Sequence, residues 1–244
     1  MAWARRRSRR CCRPGTRWGC GRGKPTPWRC PPELCHAALP CYSDRRLGRV
    51  ATRRFTKTEL ESFRDREVPD LLPADGSAVR LLFVGINPGL WTAATQTHFA
   101  HPVNRFYPAL LRAGIIEHAI DPAAGMTDED RAHLLGRGIG ITNLAPRATA
   151  RADELSKEEL RQGGQRLRET VRRVRPRVVA VAGITAYRSA FGVRTAVAGR
   201  QADPLEEAVL WVVPNPSGLN AHETVDSLAA SYAHPAREAR VLAR

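Results

Sequence analysis

Three neutral polar stretches carry the residue types that could do chemistry: Asn87-Pro88-Gly89, Thr142-Asn143 and Asn215-Pro216-Ser217-Gly218-Leu219. A side-chain amide offers a carbonyl that accepts from water and an NH2 that donates, and it does not ionise near neutral pH. Asn87 can therefore orient a water molecule but cannot act as a strong base. Pro88 biases Asn87 toward an extended backbone, and Gly89 permits a close turn behind it. Taken alone, the tripeptide also fits an ordinary turn at the end of a strand. No acidic residue neighbours Asn87, and the chain contains no G-x-S-x-G elbow, P-loop or dinucleotide fingerprint. His101 and His222 are the titratable candidates in polar loops, where a lone histidine without a partner is more often structural.

The elements that must position these groups follow from periodicity. Leu81-Leu82-Phe83-Val84-Gly85-Ile86 is a continuous apolar run that stops at a turn, the pattern of a strand buried on both faces. Ile139–Thr142, Val178–Gly183 and Val209–Val213 repeat the pattern. Between them lie helical signals. Capping-box spacings at Thr56/Glu59 and Ser156/Glu159 open helices, further helices are expected near 104–114, 127–138 and 186–191, and a final one carries Leu228 and Tyr232. Residues 90–103 read as a long loop, and Pro235 is expected to interrupt the last helix. Strands alternating with helices predict an α/β fold, a three-layer α/β/α sandwich with a mostly parallel central sheet. Ligands of such sheets bind beyond the carboxyl ends of the strands, where all three polar stretches fall. Asn87 is expected to lie exposed just past its strand.

Charge and cysteine divide the chain in two. Residues 1–50 hold 13 of the 39 basic residues against two acids, Glu33 and Asp44, while the remainder carries a net charge of only +4. Nucleic-acid binding cannot be argued from overall charge alone. All six cysteines (Cys11, Cys12, Cys20, Cys30, Cys35 and Cys41) fall in the same stretch, without the paired C-x-x-C knuckles of a zinc site. A core without cysteine suits a reducing compartment. Residues 1–50 are expected to be a disordered basic tail and residues 51–244 the folded domain. No apolar run approaches membrane-spanning length, and the arginine-rich start lacks the apolar stretch of a secretory signal. A cytoplasmic protein (bacterial cytosol or nucleoid) is expected, with no membrane partner.

Five fragments in register add a resemblance. Gly85-Ile86-Asn87-Pro88-Gly89-Leu90 is followed by Phe99-Ala100-His101-Pro102-Val103-Asn104-Arg105-Phe106. Gly140-Ile141-Thr142-Asn143-Leu144, then Glu154-Leu155-Ser156 with Gly163-Gly164, and finally Asn215-Pro216-Ser217-Gly218-Leu219 complete the set. Together they resemble the mismatch-specific uracil/thymine DNA glycosylases over roughly residues 53–235. The resemblance implies a uracil-glycosylase-like fold and a monofunctional enzyme, needing no cofactor and acting as a monomer. It would hydrolyse the N-glycosidic bond of uracil mispaired with guanine in double-stranded DNA, with thymine or an exocyclic cytosine adduct as further substrates. Asn87 would position the attacking water, and Phe99 would stack on the flipped base. Main-chain groups near Ile86 and Phe99 would read its edge, Asn143 would shape the pocket, and the Ser217–Leu219 loop would enter the duplex. Gly85, Pro88, Gly89, Thr92, His101, Asn215, Pro216 and Asn220 complete the implied binding set. Asn220-Ala221-His222 departs from members with an arginine there, and Asn143 from a branch with a lysine; both leave the base preference open. Two alternatives stand beside this reading, a uracil glycosylase of another branch and a non-catalytic damaged-DNA binding protein.

Overall fold

A computed structural model describes residues 55–242; the expectation for residues 1–50 lies outside the described residues. The chain runs α1 (Lys57–Glu61), β1 (Leu81–Gly85), α2 (Leu90–Thr95), α3 (Phe106–Arg112), α4 (Asp128–Gly136), β2 (Ile139–Asn143), α5 (Lys157–Val174), β3 (Val178–Ala182), α6 (Ile184–Phe191), β4 (Gly199–Arg200), β5 (Val209–Val213) and α7 (Val225–Glu238). The sheet order is β2-β1-β3-β5-β4. The first four of these strands are mutually parallel, and the two-residue β4 pairs antiparallel on the edge of β5.

Alternation along each strand explains the three layers. In β1, Leu81 and Phe83 face α3, α4 and α7 among Phe106, Leu110, Leu134 and Tyr232, while Leu82 and Val84 face α5 and α6 among Leu167, Val171 and Tyr187. Leu81 through Val84 are wholly buried. Each such side chain contributes about 1.5–3 kcal/mol relative to exposure, so β1 is firmly anchored in the sheet. After β1 the chain crosses to β2 on one side, and the next crossover carries it to β3 on the other. That reversal opens a crevice beyond the carboxyl ends of β1 and β3, where an open α/β sheet binds its ligand.

The capping boxes at Thr56, Thr127 and Ser156 each form with the residue three positions on. Four details differ from the sequence reading. The stretch expected as one loop, 90–103, begins with the helix α2, which Gly89 opens from an extended conformation and Gln96 closes in a left-handed one. Its six residues are too few for a periodic signature, and it is packed in place by buried Leu90 and Ala93. Helix α7 does not stop at Pro235. It continues to Glu238 because Pro235 and Ala236 are buried against the core, offsetting the lost backbone donor. Helix α6 starts at Ile184, two residues before the expected position, and the edge strand β4 is too short to show a period.

Candidate active site

The three polar stretches meet at the carboxyl rim of the sheet. Asn87 follows β1, Asn143 ends β2, Ala182 ends β3 and Asn215 follows β5, and all four line one cleft of about 240 Å³. At about 30 Å³ per water, that is room for roughly eight waters or a flat ring with solvent around it. Gly89, Thr92, Phe99, His101, Ser217, Gly218, Leu219 and Ile86 complete the expected wall. Among the described residues no Asp, Glu, Lys or Arg lines the cleft, and the one titratable side chain there, His101, is held below its usual pKa by desolvation.

Asn87 is half-buried, more enclosed than expected, and its amide is pinned. Nδ2 donates to Thr149 Oγ1 at 2.7 Å, to the Pro88 carbonyl at 2.9 Å and, more weakly, to the Arg147 carbonyl at 3.3 Å. The Thr149 hydroxyl spends its own hydrogen on the Arg151 carbonyl at 2.7 Å, so toward Asn87 it can only accept. The amide therefore has one orientation, with Oδ1 unpartnered among the described residues and available to a water. Thr149 was not singled out by the sequence. Its role arises because the loop after β2 continues the parallel pairing of β1: Leu144 N donates to Gly85 O, Ala145 N to Ile86 O and Thr149 N to Pro88 O. Arg147 fastens the same loop by pairing with Asp65 at 2.9 Å and with Glu159. Pairing with Arg147 and the Ser156 donors hold the Glu159 carboxyl well below its usual range, so the staple persists across ordinary pH.

Asn143 is oriented by similar logic. His98 is buried, and desolvation pulls its pKa down to about 4, so the ring is neutral at pH 7. Its Nε2 faces the Pro69 carbonyl at 3.0 Å, which can only accept, so the proton sits there and Nδ1 carries a lone pair. Asn143 Nδ2, 3.1 Å from Nδ1, must donate to it. Asn143 thus presents its carbonyl oxygen toward Gly85. A Cβ at Gly85 would fall 2.3 Å from that oxygen and 3.3 Å from Phe99 Cζ, so the strand end must be a glycine for the two walls to close in.

Phe99 reaches the cleft from a left-handed backbone (φ 57°), uncommon for a bulky side chain. Flanking contacts impose it: Ala100 N donates to Thr92 Oγ1 at 3.3 Å, and the Tyr107 hydroxyl donates to the His98 carbonyl at 3.0 Å. One face of the Phe99 ring stacks on Phe106, with centroids 4.0 Å apart, while the residue also lines the cleft. Core packing and a stacking surface are here two uses of one ring. His101 accepts from Val103 N at Nδ1 and meets the edge of Trp91.

Two expected prolines do not line the cleft. Pro88 and Pro216 are buried, and their carbonyls hold neighbours: Pro88 O accepts from Asn87 and Thr149, and Pro216 O from Arg105 N. Asn220 lines an adjoining depression with Asn215, and its Nδ2 donates to the Asn215 carbonyl at 3.1 Å. Leu219 stands at the mouth, 84 % exposed, beside Val103 at 57 %. Val103 and Asn104, which belong to the second matching fragment but were given no role in the site, also line the cleft, as do Ala150 and Ala152, which, like Thr149, no period or motif marks.

The cleft of this doubly wound α/β/α sheet thus presents oriented neutral amides, one aromatic face and, among the described residues, no carboxylate. The model of the uracil DNA glycosylase superfamily matches residues 73–234, well over half of the chain, and the chain belongs to that superfamily. At that level it is a DNA N-glycosylase, a hydrolase of DNA repair that acts on uracil.

Proposed function

We propose that this chain is a monofunctional, mismatch-directed glycosylase that removes uracil paired with guanine in double-stranded DNA and so starts base excision repair. The pinned Asn87 amide, with its oxygen turned to the cleft, carries this reading. Water held by Oδ1 attacks the anomeric carbon of the flipped nucleotide, the N-glycosidic bond breaks, and the bonding electrons leave with the base. The proton of the attacking water passes to solvent, because the cleft holds no carboxylate to take it. Forgoing a general base gives up ~10²–10⁴-fold in rate, so the enzyme is slow and depends on a stabilised base anion. Absence of lysine from the cleft wall among the described residues favours hydrolysis over a Schiff-base lyase step.

The orientation of Asn143 supports uracil or thymine as the ring received. Its carbonyl oxygen is an acceptor, matching the N3–H that both bases carry. Extruding a base costs a few kcal/mol, least for a mispaired one, which favours a mismatch substrate. The Phe99 face returns roughly 1–3 kcal/mol by stacking. Leu219 fits an apolar wedge that fills the vacated stack. A fluorescent-labelled G·U duplex, treated with alkali after incubation, tests the reading: strand cleavage is expected, weaker on G·T and weakest on A·U and single-stranded uracil. Equal cleavage of G·U and A·U would replace the mismatch preference by a general uracil activity, and no cleavage of any would leave a damaged-DNA binding protein.

A further inference from the structure

The loop that carries Leu219, residues 214–223, contains no helix or strand, yet it keeps a defined shape with its apolar tip in solvent. Three of the ties that hold it come from one side chain. Arg105, the residue that opens α3, directs one branch of its guanidinium to the Glu223 carbonyl and the other to the carbonyls of Ser217 at 2.6 Å and Asn220 at 2.8 Å. Its own backbone N–H donates to the Pro216 carbonyl at 3.0 Å. The four acceptors lie on both sides of Leu219 in the chain, so the tip projects from a clamped base.

We propose that Arg105 is a positioning residue that holds the Leu219 loop in its duplex-entering shape and acts on excision through Leu219 alone. The inference rests on the wedge reading of Leu219 given above. Three observations support it. Every oxygen the guanidinium meets is a main-chain carbonyl of this loop, and no carboxylate pairs with it among the described residues. Nε is fully buried and unpartnered among the described residues, so the group is turned inward and is not presented to a phosphate. The frame beneath is fixed: Phe106, the next residue, is wholly buried, and the Tyr232 hydroxyl holds the Pro214 carbonyl at 3.0 Å. Losing Arg105 would leave the loop anchored at Pro214 and Asn215 while freeing its tip.

Planarity is what the task requires. A guanidinium reaches carbonyls on two of its edges at once, whereas an ammonium is a single point with the same charge. Arg105→Lys therefore separates shape from charge. Single-turnover excision from a G·U duplex is to be measured for Arg105→Lys, Leu219→Ala and the double variant, alongside thermal midpoints and the salt dependence of DNA affinity. Arg105→Lys and Leu219→Ala are each expected to slow excision about tenfold, and the double variant no more than either alone, because residues acting through one another are not additive. Losses that multiply, tracking a fall in thermal midpoint, would overturn the proposal in favour of general stabilisation. A salt slope reduced by about one in Arg105→Ala would overturn it in favour of a direct phosphate contact. Should Leu219→Ala cut at the wild-type rate, the wedge reading fails and this inference with it. Should Leu219→Ala be slow while Arg105→Lys is not, only the role of Arg105 falls. If Arg105→Lys does not fold, Arg105→Gln, which donates from one amide, takes its place in the same cycle.

Discussion

The two rims of the sheet are built on opposite plans. At the carboxyl rim, a cleft of about 240 Å³ is walled by neutral amides, small residues and one aromatic ring. At the amino rim, a groove of about 630 Å³ lies between the end of α5 and the turn before β5, lined by Arg172, Arg175, Glu206 and Glu207. There Glu206 pairs with Arg168 at 3.1 Å and Arg172 at 2.9 Å, and those pairs hold its carboxyl below the usual range. In the larger and more charged hollow Glu206 is thus already held between two arginines, whereas in the smaller one the Asn87 oxygen has no partner among the described residues. Volume and charge do not mark the proposed site here. Unspent hydrogen-bonding capacity, held in one orientation, does.

The sharpest way to break this comparison is Asn87→Ala. The single-turnover rate on a G·U duplex is expected to fall by ~10³-fold, within the range for losing a group that acts on the reacting water. Folding stability should fall by about 1 kcal/mol, since the hydrogen bond to Thr149 goes with the amide. Near-wild-type excision would remove Asn87 from the chemistry. Next in size, Leu219→Ala should slow duplex excision about tenfold while changing stability by less than ~0.5 kcal/mol, as expected of a side chain 84 % exposed. If Leu219 instead packs beneath α7 as a staple, denaturation will show a loss of ~1–3 kcal/mol and single-stranded uracil will suffer as much as duplex.

A third test uses pH. His98 takes up its proton near about 4 when folded and near 6.5 when unfolded. Between those values the unfolded state binds more protons, so stability is full above pH 6.5 and declines as pH falls toward 4. The slope from this group is at most about 1.4 kcal/mol per pH unit. Urea denaturation of the wild type and of His98→Asn across this range should show a flatter profile for the variant. Smallest of all is Glu206→Gln at the amino rim. It breaks both arginine pairs, yet excision is expected to stay within about twofold and the thermal midpoint to move little, as for other exposed ion pairs. A large loss of activity there would tie the two rims together and end the contrast.

How much of this was legible in the chain depends on the range of the interaction that decides it. Apolar runs at 81–84 and 178–182 announced buried strands because both faces are covered, the run at 209–213 announced one whose Val209 and Trp211 stay half-buried, and their ends announced the rim. Asn87, Asn143 and Asn215 were readable for the same reason. Thr149 was not, because what matters is its register against Pro88, set across some sixty residues by the β1–β2 pairing. Helix α2 was hidden by its shortness, and Pro235 misled because a local rule met a buried environment. Neither could the orientation of Asn143 be read in advance, since it depends on which nitrogen of a distant histidine bears a proton.

One arrangement has a further consequence for how long the site endures. Asparagine ages to aspartate mainly when the next residue's backbone nitrogen attacks the side-chain carbonyl and closes a five-membered ring. After Asn87 and Asn215 that nitrogen belongs to Pro88 and Pro216, which carry no hydrogen to release. After Asn143 it belongs to Leu144, whose N–H is engaged by the Gly85 carbonyl at 3.0 Å. After Asn104, which also lines the cleft, it belongs to Arg105, whose N–H is engaged by the Pro216 carbonyl at 3.0 Å, so the cyclisation route is blocked twice by covalent structure and hindered twice by pairing. A spontaneous carboxylate in this cleft would bring the ionisable base that its chemistry does without, so the same neighbours that aim the amides also keep them amides for the lifetime of the protein.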